Sequence, residues 1–128
     1  MVALLAALVA GIAEARASSD AGTRLDNAGI RSKVIGKRVY LRTPLGGEFP
    51  LFYRADGRVD ASGEAAGLGR WVRPNDSGRW WIEGGRLCQK WQTWYEGKPF
   101  CFTVDWLGNG SLRWTRDDGM TGISRLGG

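Results

Sequence analysis

The chain contains no histidine, so the side chain that most often acts as general base, and that most often ligates a transition metal, is missing. Its two cysteines, Cys88 and Cys101, read best as one disulfide and so supply no free thiolate. No Gly-x-Ser-x-Gly or Ser-x-x-Lys stands in a credible context. Long apolar runs are also scarce: outside residues 2–13 nothing approaches the roughly 20 apolar residues that cross a bilayer as a helix. Blocks of like charge are lacking too. Lys and Arg (18) outnumber Asp and Glu (13) for a net charge of +5, but they are scattered and interleaved with acids, which excludes a basic nucleic-acid tail. These absences argue against an enzyme and against any metal or cofactor site.

The apolar run Val2–Ala13, followed by Glu14-Ala-Arg-Ala17, reads as a signal peptide over residues 1–17 with a small-x-small cleavage site. It is too short to span as a helix, and no Lys or Arg precedes it, unlike the usual basic start. The reading predicts a periplasmic or secreted product with no stable membrane insertion after cleavage. Residues 18–25 are small and polar and are expected to form a flexible segment, leaving one domain over 26–128.

That domain starts with a helix signal. Asp26 or Asn27 can cap it, Ile30 and Val34 share a face, and Gly36 can end it. From Lys37 the period changes to two, and turn signals such as Asp56-Gly57, Asn109-Gly110 and Asp118-Gly119 recur at intervals typical of antiparallel strands. Strands are expected at Arg38–Arg42, Glu48–Arg54, Gly69–Arg73, Arg79–Ile82, around each cysteine, at Ser111–Arg116 and at Met120–Leu126. In the second cysteine strand Phe100, Phe102, Val104 and Trp106 alternate with Cys101, Thr103 and Asp105, so one face is core. The expected fold is all-β: an antiparallel meander of about 7–9 short strands forming a small barrel or strongly curved sheet, preceded by a short helix. Cys88 and Cys101 flank the turn Tyr95–Pro99 and are expected to staple a hairpin.

Seven tryptophans are a large number for so short a chain. Trp71, Trp106 and Trp114 are expected in the core. Strand parity sends Trp80 and Trp81 to opposite faces, so that one of them is buried and Trp81 is a candidate for the surface. The same parity opposes Trp91 to Trp94 and places Trp94 beside Lys90 and Gln92, with Lys98 just beyond the turn. An aromatic plane among hydrogen-bond donors suits a sugar ring, an aromatic ligand or a protein hot spot; the alternative is packing across the disulfide or a barrel end. Candidate ligand or partner residues are therefore Trp94, Lys90, Gln92, Lys98 and Trp81. Aromatic and basic residues together also suit single-stranded nucleic acid, but export argues against that partner.

Carboxylates sit mostly in or beside turns. Asp117-Asp118-Gly119 is a hairpin turn rather than a calcium loop, and Glu83 or Asp105 are the least implausible acids for a carboxylate-dependent hydrolase of envelope polysaccharide.

The ordered set Ile35-Gly36, Leu51-Phe-Tyr-x-x-Asp-Gly-Arg58, Gly69-x-Trp71, Gly85-x-Leu-Cys88, Cys101-Phe102 and Asp118-Gly119 resembles a family of uncharacterised small secreted, Trp-rich, two-cysteine proteins of Gram-negative bacteria. The resemblance covers about Ala28 to Leu126 and implies no activity. The expected function is a non-catalytic binding or protein-interaction module. Its partner would be an envelope protein or polysaccharide, and it would need no cofactor. The alternatives are the hydrolase, an enzyme inhibitor, or an accessory subunit of an envelope complex.

Overall fold

The computed structural model describes residues 22–42, 47–62 and 75–127. The expected signal peptide (1–17), the strand expected at Gly69–Arg73 and Trp71 within it lie outside these residues.

The alternation that begins at Arg38 builds eight strands: β2 (Arg38–Arg42), β3 (Glu48–Tyr53), β4 (Arg58–Ser62), β5 (Asn75–Glu83), β6 (Arg86–Trp91), β7 (Phe100–Gly108), β8 (Ser111–Arg116) and β9 (Thr121–Gly127). Each pairs antiparallel with the next, and β2 pairs with β9, so the meander closes into an up-and-down barrel. Closure is the physical consequence of the pattern. Val39, Leu51, Val59, Leu87, Val104 and Leu112 are all buried on one face, and only a closed sheet hides such a face while leaving no edge unpaired.

The closing seam is short: Arg38, Val39 and Tyr40 pair with Gly127, Leu126 and Arg125. On its outside the Arg125 guanidinium lies 4.0 Å from the Tyr40 ring centroid and donates to Glu48 at 2.9 Å. Two glycines allow close packing inside the wall. A Cβ on Gly78 would lie 2.2 Å from the Lys90 carbonyl oxygen, and one on Gly122 would lie 2.5 Å from the Trp114 indole, whose ring occupies the space a side chain would take.

One end of the barrel is plugged. The helix α1 (Asn27–Lys33) starts where the Asp26 side chain accepts the Gly29 N–H at 2.7 Å, as its sequence predicts. Ile30 and Val34 are buried beneath it. Three contacts lock it to the barrel: Asn27 accepts the Gly85 N–H, Lys33 lies 4.8 Å from the Trp106 ring centroid, and Arg31 lies 5.8 Å from that of Trp80.

Three expectations need correction. In the segment expected to be flexible (18–25), of which 18–21 lie outside the described residues, Thr23–Arg24 form a short strand, β1, on β7, and Leu25 is buried and donates its backbone N–H to the Val104 carbonyl at 2.9 Å. Strand β4 was not foreseen, because only Val59 and Ala61 of Arg58–Ser62 are apolar and buried, so it carries almost no hydrophobic signal. The chain after Trp91 is not a continued strand with hairpin turn but a 3-10 turn, Trp94–Gly97, in which Tyr95 (φ 56°) and Glu96 (φ 55°) are left-handed.

Cys88 and Cys101 are directly opposite in the β6–β7 register and are bonded, with Cα atoms 4.0 Å apart. Their bond closes the loop that contains the 3-10 turn. Cys88→Ser should lower the unfolding free energy by about 2–5 kcal/mol. Denaturant titration with and without reductant checks this, and two reactive thiols in the oxidised protein would contradict it.

Candidate functional site

At the end opposite α1 the barrel is open. The interior there is a cavity of about 380 Å³, within the range of small-molecule sites. Val34, Val39, Leu51 and Val104 line its depth, and a single polar pair sits among them: the buried Tyr53 hydroxyl donates to the Gln89 carboxamide. Burial pushes the Tyr53 phenol well above its ordinary range and outweighs the lowering effect of the Gln89 hydrogen bond, so it stays a neutral donor.

The mouth is aromatic and is built by one carboxylate. Asp76 Oδ2 accepts the backbone N–H groups of Thr93 (3.1 Å) and Trp94 (2.9 Å), which ends β6 and turns the chain across the barrel opening. Partial burial acts to raise the Asp76 pKa, but backbone donation from Trp94, Thr93 and Ser77 outweighs it and holds the carboxyl below its ordinary value. Trp94 packs on Trp91 (centroids 4.9 Å apart) and edge-on to Phe49 (5.3 Å). The left-handed Tyr95 stands edge-on to Phe100 at 5.0 Å. A non-glycine residue in this conformation costs on the order of 1 kcal/mol or more, so the turn is held by its surroundings rather than by preference.

Arg116 completes the mouth. Its guanidinium lies 4.4 Å from the Phe100 centroid and 5.6 Å from that of Tyr95, and Nε and Nη2 grip Asp118 at 2.9 and 2.6 Å. The Arg116 hydrogen bonds and the Met120 N–H hold the Asp118 carboxyl down to about 2. Three of the four large apolar side chains that are exposed among the described residues, Tyr95 (55%), Met120 (52%) and Ile123 (45%), ring this cavity. Apolar exposure among the described residues is thus concentrated at one opening.

The structure separates the residues expected to form one site. Trp94 lines the cavity mouth and does not share a face with Lys90 and Gln92, because the Asp76 cap breaks the strand parity on which that reading rested. Lys90 and Gln92 are exposed on a second, polar groove with Arg58 and Arg79. Lys98 is exposed where the 3-10 turn ends, its N–H bonded to the Tyr95 carbonyl. Trp81 is on the outer wall, 36% exposed, its indole N–H donating to Glu83 at 2.8 Å, while Trp80 is buried and donates to the Arg54 carbonyl. Trp106 and Trp114 are half-buried against the core. The cavity residues Tyr95, Phe100, Arg116, Met120 and Ile123 were not anticipated as a site. The aromatic pairs Trp94-Tyr95 and Phe100-Cys101-Phe102 around one turn were the available signal.

Glu83 and Asp105 do not line the cavity. Glu83 accepts from Trp81, and Asp105 is paired with Arg24 at 2.6 Å and Arg113 at 3.7 Å. Glu83 also forms, with Cys88 and Cys101, the one grouping of potential metal ligands among the described residues, but the two sulfurs are bonded to each other. Asp117 accepts the Cys101 N–H at 3.3 Å, and Asp118 is engaged by Arg116, as turn carboxylates rather than ion ligands.

Two outcomes are expected. Trp94→Ala should cost roughly 2–4 kcal/mol through lost packing at the mouth, and Asp76→Ala about 1–2 kcal/mol through two orphaned N–H groups, both read by chemical denaturation; unchanged stability in both would contradict the capped turn. The depressed Asp76 and Asp118 carboxyls add stability that is fully present above their ordinary value of 3.8 and lost as pH falls through their lower folded values, near 2 for Asp118. Carboxyl NMR titration checks this, and ordinary midpoints for both would contradict it.

Comparison with family models, curated proteins and solved structures gives no match to this chain, so its functional reading rests on the geometry above.

Proposed function

We propose that this chain is a non-catalytic binding module, exported by residues 1–17, that takes a small apolar or aromatic molecule into the open end of its barrel. The observation that carries the reading is the 380 Å³ cavity with its ring of exposed Tyr95, Met120 and Ile123. Eight-stranded barrels have an interior just wide enough to hold one small ligand. The occupant would be mainly hydrophobic, stacked against Trp94 and Phe100, with a polar group reaching either the Tyr53–Gln89 pair or Arg116.

Absence of catalysis is part of the proposal. The full sequence has no histidine, the side chain that most often serves as general base. Export is supported by the apolar N-terminal run and by the Cys88–Cys101 bond, which suits an oxidising compartment. Among the described residues no helix is long and apolar enough to cross a membrane.

N-phenyl-1-naphthylamine is a suitable first probe, since its emission rises on entering a dry aromatic site. The native chain should bind it with a Kd on the order of micromolar, about −8 kcal/mol, and Leu41→Trp, which fills part of the cavity, should weaken binding about tenfold with the melting temperature retained. Equal binding by the folded variant, or no binding by the native chain, would contradict the cavity reading.

A further inference from the structure

On the outer wall the barrel register creates a like-charge ladder. Arg58 of β4 is directly opposite Arg79 of β5, and Arg79 is directly opposite Lys90 of β6. All three are exposed. Neighbouring strands are about 4.8 Å apart, so three cations stand in a row roughly 10 Å long, and like charges directly opposite destabilise a sheet. The nearby carboxylates are engaged elsewhere or stand off from the row. Asp60 is gripped by Arg54 and reaches Arg58 only at 3.9 Å, and among the described residues no carboxylate lies within ion-pair distance of Arg79 or Lys90. Asp56 and Glu96 stand on the same groove, and the Asp56 carboxylate accepts the Arg58 backbone N–H.

Beside this row the wall offers a ring. Trp81 lies two residues beyond Arg79 on β5 and therefore on the same face. It is exposed, and its indole is oriented by the hydrogen bond to Glu83. On the other side of the row are the hydroxyl of Ser77 and the carboxamide of Gln92, which joins Ser77 through its backbone N–H at 2.9 Å.

We infer that the Arg58–Arg79–Lys90 ladder and Trp81 form a second binding site, for an acidic polysaccharide. The cations meet a row of carboxylate or sulfate groups on successive sugars, the indole stacks on a pyranose face, and Ser77 and Gln92 take ring hydroxyls. Charge complementarity selects a polyanion. The disulfide on the adjacent row, where Trp81 pairs with Cys88 and Cys88 with Cys101, selects among polyanions, since it suits an oxidising compartment in which a glycan rather than a nucleic acid is the available polymer. This site is separate from the barrel mouth and does not depend on it.

The test is calorimetric titration of the disulfide-bonded chain with oligogalacturonate at low salt. Binding is expected, weakening as salt is added. Arg79→Glu should reduce affinity about tenfold or more, Trp81→Ala should reduce it several-fold, and Arg79→Lys should leave it nearly intact. Arg79→Glu should still bind N-phenyl-1-naphthylamine as the native chain does; if it fails to fold, Lys90→Gln takes its place with a smaller expected loss. Four results would overturn the inference: no binding of oligogalacturonate, equal binding by the folded charge variants, equal binding of neutral dextran, or tighter binding of oligothymidylate.

Discussion

Three residue pairs hold the barrel closed. Val39 with Leu126, flanked by Arg38 with Gly127 and Tyr40 with Arg125, joins the first strand of the meander to the last. Within the eight-stranded meander every other strand pair links neighbours in sequence and forms at low loop-closure cost, whereas this one, like the two-residue β1–β7 pairing, joins residues far apart in the chain and carries the largest entropic penalty. Without it the inner faces of β2 and β9 would be edges beside open water, and the apolar rows they continue would have no opposite wall. The Tyr40–Arg125–Glu48 stack over the outside of the seam adds a cation–aromatic contact and an ion pair to the same few residues. The cavity exists because this seam holds.

Closure alone gives a tube, and the two ends are then treated differently. At one, α1 fills the opening with Ile30 and Val34 and is fastened by Asn27, Lys33 and Arg31, each meeting a different strand or turn. At the other, the chain places Trp94, Tyr95 and Phe100 around the opening without filling it. The second arrangement is the costlier of the two, since it holds Tyr95 and Glu96 in left-handed backbone. Asp76 supplies two hydrogen bonds and the Cys88–Cys101 bond closes the loop around the turn, and together these offset the strain.

The sequence made the architecture legible wherever the hydrophobic signal was local. The Asp26 cap with Ile30 and Val34, the alternation from Phe100 to Trp106 and the two cysteines opposite each other could be read directly. Local signal is weak in β1, two residues that are a strand only because β7 lies beside them, and in β4, whose Arg, Asp and Ser conceal two buried apolar positions. The site was less legible than the fold because it depends on contacts remote in sequence. Trp94 turns inward through an acceptor eighteen residues earlier. The cation ladder is a product of register, which sets Arg58, Arg79 and Lys90 abreast although nothing in their spacing brings them together.

The binding role proposed for this chain requires that the open end of the barrel admit a molecule to its interior. The most direct measurement is intermolecular NOE spectroscopy on the isotope-labelled, disulfide-bonded chain with bound N-phenyl-1-naphthylamine. A probe seated in the cavity should show contacts to the methyl groups of Val39, Leu41 and Leu51 and to the ring protons of Trp94 and Phe100. Contacts confined to outer-wall residues such as Trp81, with none to the interior methyls, would contradict it.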